Sequence, residues 1–252
     1  MSAEKRFGLY SNTMIYTHGG KKMWCIPVVD QKFRRKMDDV LAVYELPYNP
    51  HEPVICLDEK PIQLLSDQRK AQVMHPGCDA RRDYEYQRCG TANVFYAVEP
   101  KTGRCSPDVT QRRTCEDFAK ELQLLERRYH QKTKKIHLIL DNLSSHSRNA
   151  LRRTFGFEEG ERLWSRFDVH FTPTHASWLN QAENGISKYT RGCLGKRRIA
   201  DIETLRAESQ AWSEAVNRHP SPLRWKFTRE KAKKTFSRHT HLSNRKTFRS
   251  ED

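Results

Sequence analysis

The sequence lacks an apolar run long enough to cross a membrane, and residues 1–20 contain no apolar core of the kind that signal peptides carry. It also lacks an internal repeat and any CxxC pair, and its seven cysteines are odd in number. These absences argue against a disulfide framework and against a zinc ribbon. We therefore expect a reduced protein in the cytoplasm, associated with the nucleoid and without a membrane partner.

Acidic side chains are fewer than basic ones. The chain has 31 Asp and Glu against 46 Lys and Arg, a formal net charge of +15 over 252 residues. A protein this basic usually binds a polyanion, because each neutralised phosphate releases counterions. The alternative is a solvated basic surface that has no partner. The clustering of the excess lysine and arginine favours a polyanionic partner.

Two short apolar runs each end in an aspartate. Ile136–Leu140 predicts a buried central strand followed by Asp141, and residues 53–57 predict a second one followed by Asp58. Open sheets with helices on their faces bind ligands at the carboxyl ends of their strands. The alternative for Asp141 is a cap or turn residue. Glu59 alternates to the other side of its strand, and we expect it to be a surface charge.

A third carboxylate lies on a predicted helix. Residues 169–171 read as a short strand, and Ser177 can cap a helix in which Glu183 lies about 40° from the apolar Leu179. That angle predicts a carboxylate at the rim of the buried stripe, where it needs a cation, a metal or an arginine as partner. Gly185 weakens this helix, which predicts close packing or close ligand approach there.

The remaining pattern predicts helices and one antiparallel hairpin around these strands. Asp30 and Asp201 precede amphipathic stretches as caps, Thr114 begins a helix in a capping box, and a short helix is expected at residues 147–155. Residues 91–109 predict the hairpin, with its turn at residues 100–103.

Three carboxylates that converge on a basic protein pose a physical question. Carboxylates repel a phosphate backbone, so a DNA site built on them requires cations in between. Hard oxygen ligands select Mg²⁺ or Mn²⁺. Two such ions about 3.5–4 Å apart can activate an attacking oxygen and stabilise a leaving one in an in-line displacement at phosphorus.

Three motifs carry a family resemblance: LDEKP around Asp58, LDNLSSH around Asp141, and TPTHASWLNQAE, which ends at Glu183. They resemble the DDE transposases of bacterial insertion sequences in the mariner superfamily. The segments GTANVFYAVEP and KKMWCIP are also similar, and the resemblance covers roughly residues 21–236.

The resemblance implies an α/β fold of the RNase H-like type, a mixed sheet flanked by helices. Its first strand would end in Asp58 and its fourth in Asp141. The resemblance also implies that Asp58, Asp141 and Glu183 are catalytic and hold two Mg²⁺ or Mn²⁺ ions. The reaction would be hydrolysis at the element ends of double-stranded DNA, followed by attack of the freed 3′-hydroxyl on target DNA by a homodimer.

Other residues receive expected roles around this triad. Five lie in or beside the matching motifs and are expected to support it: Asn142, His146, His175, Trp178 and Asn180. Nine basic residues are expected to bind DNA: Arg112, Arg113, Lys134, Lys135, Lys188, Arg191, Lys196, Arg197 and Arg198.

The sequence pattern and this resemblance together suggest how the chain is divided. We expect an irregular lead-in at 1–20, a linker helix at 21–50, the catalytic domain at 51–222 and a basic tail at 223–252, which contacts DNA or is a disordered solubilising segment. Relatives carry helix-turn-helix modules before the catalytic domain, and about 20 residues are too few for one. Two alternatives to the transposase therefore stay open, a non-catalytic DNA-binding remnant and a hydrolase that never joins strands.

Overall fold

A five-stranded sheet forms the centre of the molecule. The computed structural model describes residues 29–69, 72, 74–79, 81–129 and 133–236, and the backbone alone of residues 14–18 and 21–25. The strands are β1 (Met14–His18), β2 (Lys21–Cys25), β3 (Val54–Asp67), β4 (Tyr86–Val98), β5 (Cys105–Thr110), β6 (Ile136–Leu140) and β7 (Phe167–Phe171). The helices are α1 (Gln31–Glu45), α2 (Cys115–Tyr129), α3 (Arg148–Phe155), α4 (Phe157–Ser165), α5 (Ala182–Tyr189), α6 (Ile202–Arg218) and α7 (Arg229–Phe236).

The sheet is mixed, in the order β5-β4-β3-β6-β7. The strands β3, β4 and β5 form antiparallel pairs, whereas β6 runs parallel to both β3 and β7. Helices cover both faces, so the predicted α/β fold with a mixed sheet flanked by helices is confirmed.

Alternate residues of the central strands pack into two separate hydrophobic cores, one on each face of the sheet. Ile55 and Leu57 of β3 lie with Leu138 of β6 in a core that α2, α3 and α4 cover. Val54 and Cys56 lie in the other core, together with residues of α1, α5 and α7. Because successive side chains of a strand point to opposite faces, one apolar run supplies both cores.

The helix α5 lies directly on the sheet because it has a glycine at the contact. A Cβ atom on Gly185 would overlap the ring of Tyr96, which is itself buried. The sequence suggested either close packing or close ligand approach at this glycine, and the structure shows close packing.

The predicted helix caps are present. The Asp30 carboxylate accepts from the amide of Phe33 at 2.6 Å, and the Asp201 carboxylate accepts from the amide of Thr204 at 2.7 Å. Thr114 and Asp117 exchange hydrogen bonds in the reciprocal pattern of a capping box.

Two described stretches near the N-terminus pair as strands, which the sequence pattern does not predict. Residues 14–18 and 21–25 pair as an antiparallel ribbon, so the prediction of an irregular lead-in at 1–20 is wrong for that part. Backbone pairing holds such a ribbon, and it needs no apolar periodicity in the sequence. Residues 1–13, 19–20 and 26–28 lie outside the described part.

The helix α1 is part of the core and not a linker, because Met37, Val40 and Leu41 are buried against the sheet. The segment after residue 222, predicted as a tail, contains α7, which packs on α1. Its Arg229 forms a bidentate ion pair with Asp38 at 2.8 Å. Residues 237–252 lie outside the described part, and the predicted tail contact with DNA is untested for them.

Two further elements differ from the predicted pattern. The strand β3 continues through Pro61 to Asp67. Beyond Cys56 it pairs with β4 alone, so its other side is an open edge of the sheet, where a proline is tolerated. The helix α4 was not predicted. It follows Gly156, whose φ of 85° reverses the chain after α3, and Gly160 then allows close contact with the backbone of Arg152.

Among the described residues no helix is long and apolar enough to cross a membrane. The six described cysteines are free.

We predict that Gly185→Val destabilises the protein by about 2–3 kcal/mol, because the new side chain overpacks a buried ring. The measurement is the urea midpoint of unfolding. The matched control, Ser187→Val, places the same side chain on the exposed face of α5 and should cost less than about 1 kcal/mol. Equal losses in the two variants would contradict the packing argument.

Candidate active site

The pairing of β3 with β6 brings two of the three predicted acids together. The last residues paired between these strands are Cys56 and Ile139. Asp58 and Asp141 each follow two residues later, so they occupy matching positions where the two strands separate. The charge of Asp141 raises the pKa of Asp58, so the two carboxylates lie near each other.

Asp58 lies within β3 and not at its end, contrary to the prediction. The strand β3 continues to pair with β4 after its pairing with β6 has ended. Asp58 therefore lies at the end of the parallel pairing and not at the end of the strand. Burial raises the pKa of Asp58 to about 7; the amide of Glu59 opposes this shift, and the charges of Asp141 and Glu183 add to it. The carboxyl group thus responds to both other acids of the predicted triad.

Glu183 lies in the first turn of α5, and buried contacts of the preceding segment fix the start of this helix. The side-chain amide of Asn180 donates to the Leu57 carbonyl at 2.8 Å, and its oxygen accepts from the amide of Ala182 at 3.1 Å. The Tyr44 hydroxyl donates to the Leu179 carbonyl at 2.7 Å. Asn180 therefore ties the beginning of α5 to the residue before Asp58.

Glu183 itself is exposed, so the prediction of a position at the rim of the buried stripe is wrong. A 3-10 turn at Ser177–Leu179 precedes α5 and shifts its helical phase, so the 100° spacing from Leu179 does not apply. An exposed carboxylate near Asp58 and Asp141 leaves one side of the group open to solvent and to substrate.

A buried histidine joins Asp141 to a fourth acid. His146 Nδ1 lies 2.7 Å from Asp141 Oδ1, and His146 Nε2 lies 3.2 Å from Glu59 Oε1. The imidazole also stacks on Phe118, with ring centroids 4.5 Å apart. Burial alone would lower the pKa of His146, but the hydrogen bonds that its ring donates to the Asp141 and Glu59 carboxylates raise it to about 9. The side chain is therefore a cation at neutral pH and holds the Asp141 carboxylate in place.

Glu59 is not the surface charge that the sequence pattern predicted, because its side chain is only 5% exposed. It faces the α2 side of the sheet, opposite to Asp58, as strand alternation requires. Arg113 lies 3.8 Å away on its other side. No local sequence pattern marks this burial, because the partner of Glu59 is His146, which lies 87 residues away in the sequence.

The other predicted supporting residues lie in different settings. Asn142 accepts a hydrogen bond from Lys36 at 3.0 Å beside Asp141. Trp178 packs edge-on against Phe227 at 5.2 Å, which is a packing contact. His175 is exposed in a turn with a φ of 62°.

The acid group fits a divalent cation. Asp58, Asp141 and Glu183 offer hard oxygen atoms. Burial is the main cause of the raised pKa of Asp58, and the charges of Asp141 and Glu183 add a repulsion that a cation would neutralise. Among the described residues, ligand atoms of these three acids do not all lie within 4.8 Å of one another. A pair of ions about 3.5–4 Å apart spans a wider group than a single ion does.

Some predicted DNA-binding residues lie on α5, the helix that carries Glu183, or directly before α2. Lys188 and Arg191 line a cleft of about 570 Å³ between α5 and residues 221–225, together with Arg224, which belongs to the predicted basic tail. Arg112 and Arg113 precede α2 and are exposed.

Other predicted DNA-binding residues lie elsewhere. Lys134 and Lys135 precede β6, so the length of that strand separates them from Asp141. Arg198 donates to the Asp67 carboxylate and to the carbonyls of Tyr84 and Glu85, so its guanidinium is held by contacts within the protein.

The last two of the nine predicted residues follow α5. Arg197 pairs with Glu208 at 3.0 Å and also donates to the Cys193 carbonyl. The side chain of Lys196 is exposed, and its carbonyl accepts from Arg82.

A family model described as DDE superfamily endonuclease matches residues 53–206. The chain belongs to this family. The matched region includes Asp58, Asp141 and Glu183, together with the whole five-stranded sheet. A search of curated proteins gave no match.

Solved structures of Mos1 share the fold of this DDE family member. The Mos1 mariner paired-end complex with Mn superimposes with a TM-score of 0.50 at 16% identity, covering 85% of this chain and 60% of that one. The Mos1 strand transfer complex gives a TM-score of 0.50 at 18% identity, covering 73% and 53%. The chain thus spans at most about 60% of the length of these matched proteins, and the likeness establishes the RNase H-like fold.

We predict that Glu59→Ala destabilises the metal-free protein by about 3–5 kcal/mol at pH 6, because it leaves a buried imidazolium without one of its partners. The raised pKa of His146 means that its charged form contributes stability fully below about pH 6.5, and that this contribution is lost as pH rises through about 9. The penalty should therefore shrink above pH 9. Urea unfolding in EDTA measures it.

The control is Glu116→Ala, which removes an exposed glutamate paired with Lys120. Its cost should stay below about 1 kcal/mol at both pH values. A pH-independent penalty for Glu59→Ala would show that the imidazole is neutral in the folded protein.

Proposed function

We propose that this chain is the catalytic domain of a DNA transposase. It would hydrolyse DNA at the ends of a mobile element such as an insertion sequence and then join the freed 3′-hydroxyl to target DNA. The observation that carries the proposal is that Asp58 and Asp141 follow matching positions of β3 and β6, and that the charges of Asp141 and Glu183 act on the Asp58 carboxyl group. Membership of the DDE endonuclease family supports a reaction at phosphorus.

Asp58, Asp141 and Glu183 would hold two Mg²⁺ or Mn²⁺ ions. Similarity to a Mos1 complex with Mn supports this assignment. Bound there, the ions would supply charge neutralisation and an activated oxygen for displacement at phosphorus.

The chain's own residues orient this group. His146, held between Asp141 and Glu59, fixes the position of the Asp141 carboxylate. Asn180 fixes the start of α5 and therefore the position of Glu183 relative to β3. Neither residue needs to contact the substrate, so both are positioning residues.

Double-stranded DNA is the proposed partner. The formal charge of +15 favours a polyanion, and Lys188, Arg191 and Arg224 line a cleft beside the helix that bears Glu183. The matched Mos1 structures are paired-end and strand transfer complexes, which supports DNA ends and target DNA as ligands. Pairing of two ends requires two active sites, so we propose a homodimer that acts at the nucleoid.

We predict that Asp58→Asn, Asp141→Asn and Glu183→Gln each lower Mg²⁺-dependent DNA nicking at least about 100-fold, the scale of losing one electrostatic stabiliser of the transition state. Supercoiled plasmid is the substrate, and EDTA should abolish nicking by the unmodified chain. Glu116→Gln, which neutralises an exposed acid on α2, should retain full activity.

Equal nicking by Asp141→Asn and the unmodified chain would refute the proposal. A second assay, which supplies DNA with pre-cleaved ends, distinguishes the transposase from its two alternatives. Joined product supports strand transfer, cleavage without joined product indicates a hydrolase, and DNA binding without any cleavage indicates a DNA-binding remnant.

We predict that Lys188→Ala/Arg191→Ala weakens binding to double-stranded DNA and lowers the slope of log K against log salt by about 2, since each lost phosphate contact removes about one unit. The matched control is Lys134→Ala/Lys135→Ala, which removes the same charge at the opposite end of β6. Fluorescence anisotropy over a salt series measures both. Equal slopes for the two double variants would show that binding follows net charge and not the cleft.

A further inference from the structure

A second group of metal-ligand side chains lies at the other end of β6. The parallel register pairs His137 of β6 directly with Asp168 of β7, so both side chains point to the same face of the sheet. His170 lies two residues after Asp168 and therefore shares that face. Suitable ligand atoms of these three residues all lie within 4.8 Å of one another.

The distances suit one small ion. His137 Nδ1 and His170 Nε2 lie 3.1 Å apart. The Asp168 Oδ2 atom lies 3.7 Å from the first nitrogen and 3.9 Å from the second. Two zinc–nitrogen bonds of about 2.0–2.1 Å at a tetrahedral angle separate their nitrogens by about 3.3 Å. An ion can therefore enter with little movement of the imidazoles.

A fourth residue orients the imidazole of His170. Asp39 of α1 lies with its Oδ2 atom 2.8 Å from His170 Nδ1, and a carboxylate there accepts the proton of that nitrogen. The lone pair is then on Nε2, which faces His137 and Asp168. A carboxylate that holds the outer nitrogen of a ligating histidine is the usual second shell of a zinc site.

We propose that His137, Asp168 and His170 form a binding site for a divalent d-block cation such as Zn²⁺. Two imidazoles and one carboxylate favour Zn²⁺ or Co²⁺ over Mg²⁺, which selects oxygen ligands alone. The Asp168 side chain is 47% exposed, so the ion has a path from solvent and a free coordination position for water. The site is separate from the acids Asp58, Asp141 and Glu183.

The site joins three elements. His137 and His170 come from adjacent strands, and Asp39 comes from the helix α1. One turn earlier on α1, Lys36 donates to Asn142 beside Asp141. A cation bound by the histidines thus holds α1 across β6 and β7, next to the segment that carries the second catalytic acid.

The test uses the full chain, stripped with EDTA and dialysed. We expect one Zn²⁺ per chain by titration against a chelating dye, and Co²⁺ absorption bands of the intensity that four-coordinate sites give. Both should persist in Asp58→Asn/Asp141→Asn. Asp168→Asn should weaken Zn²⁺ binding at least about 10-fold, and Asp39→Asn about 10–100-fold, the range for removing a second-shell partner.

Asp168 is at the surface, so its substitution tests the site without disturbing the core. His170→Ala removes a buried ring and is interpreted only if circular dichroism shows a native spectrum. The proposal is overturned if no stoichiometric Zn²⁺ binds. It is also overturned if binding survives Asp168→Asn and is lost in Asp58→Asn/Asp141→Asn, which would place the ion at the catalytic acids. The readout is metal binding, so the result is independent of DNA cleavage.

Discussion

The parallel pairing of β3 with β6 is the constraint on which the candidate active site depends. It joins only residues 54–56 with 137–139, and both strands then leave each other with an aspartate two positions further on. A register slip of one residue would turn Asp58 to the opposite face, where Glu59 now lies. The apolar residues that alternate between the two cores oppose such a slip, since a slip would exchange Ile55 and Leu57 with Val54 and Cys56.

Concentrated negative charge is the cost of this arrangement, and the surrounding residues offset only part of it. The imidazolium of His146 stabilises Asp141 and Glu59, whereas Asp58 has the amide of Glu59 and no cation of its own among the contacts described. Burial raises the pKa of Asp58 to about 7, and the neighbouring carboxylates add to the shift. A cation bound there would lower the cost of ionising this buried carboxyl group.

The sequence predicts much of this structure where local chemistry decides, as in the helix caps at Asp30 and Asp201, and the buried strand Ile136–Leu140. Prediction from the sequence fails where a residue's contact partner is distant along the chain. The contact between Glu59 and His146 spans 87 residues, and no local pattern marks Glu59 as buried. The position of Glu183 was misjudged because a 3-10 turn breaks the helical phase on which the projection relied.

The helix α1 shows how such distant contacts make one unit of the fold. Its apolar stripe packs on the sheet, and its other residues reach three places: Asp38 binds α7, Asp39 holds His170, and Lys36 contacts Asn142. The helix α1 thus contacts both the histidine group and the loop after β6, although the two candidate metal sites share no ligand.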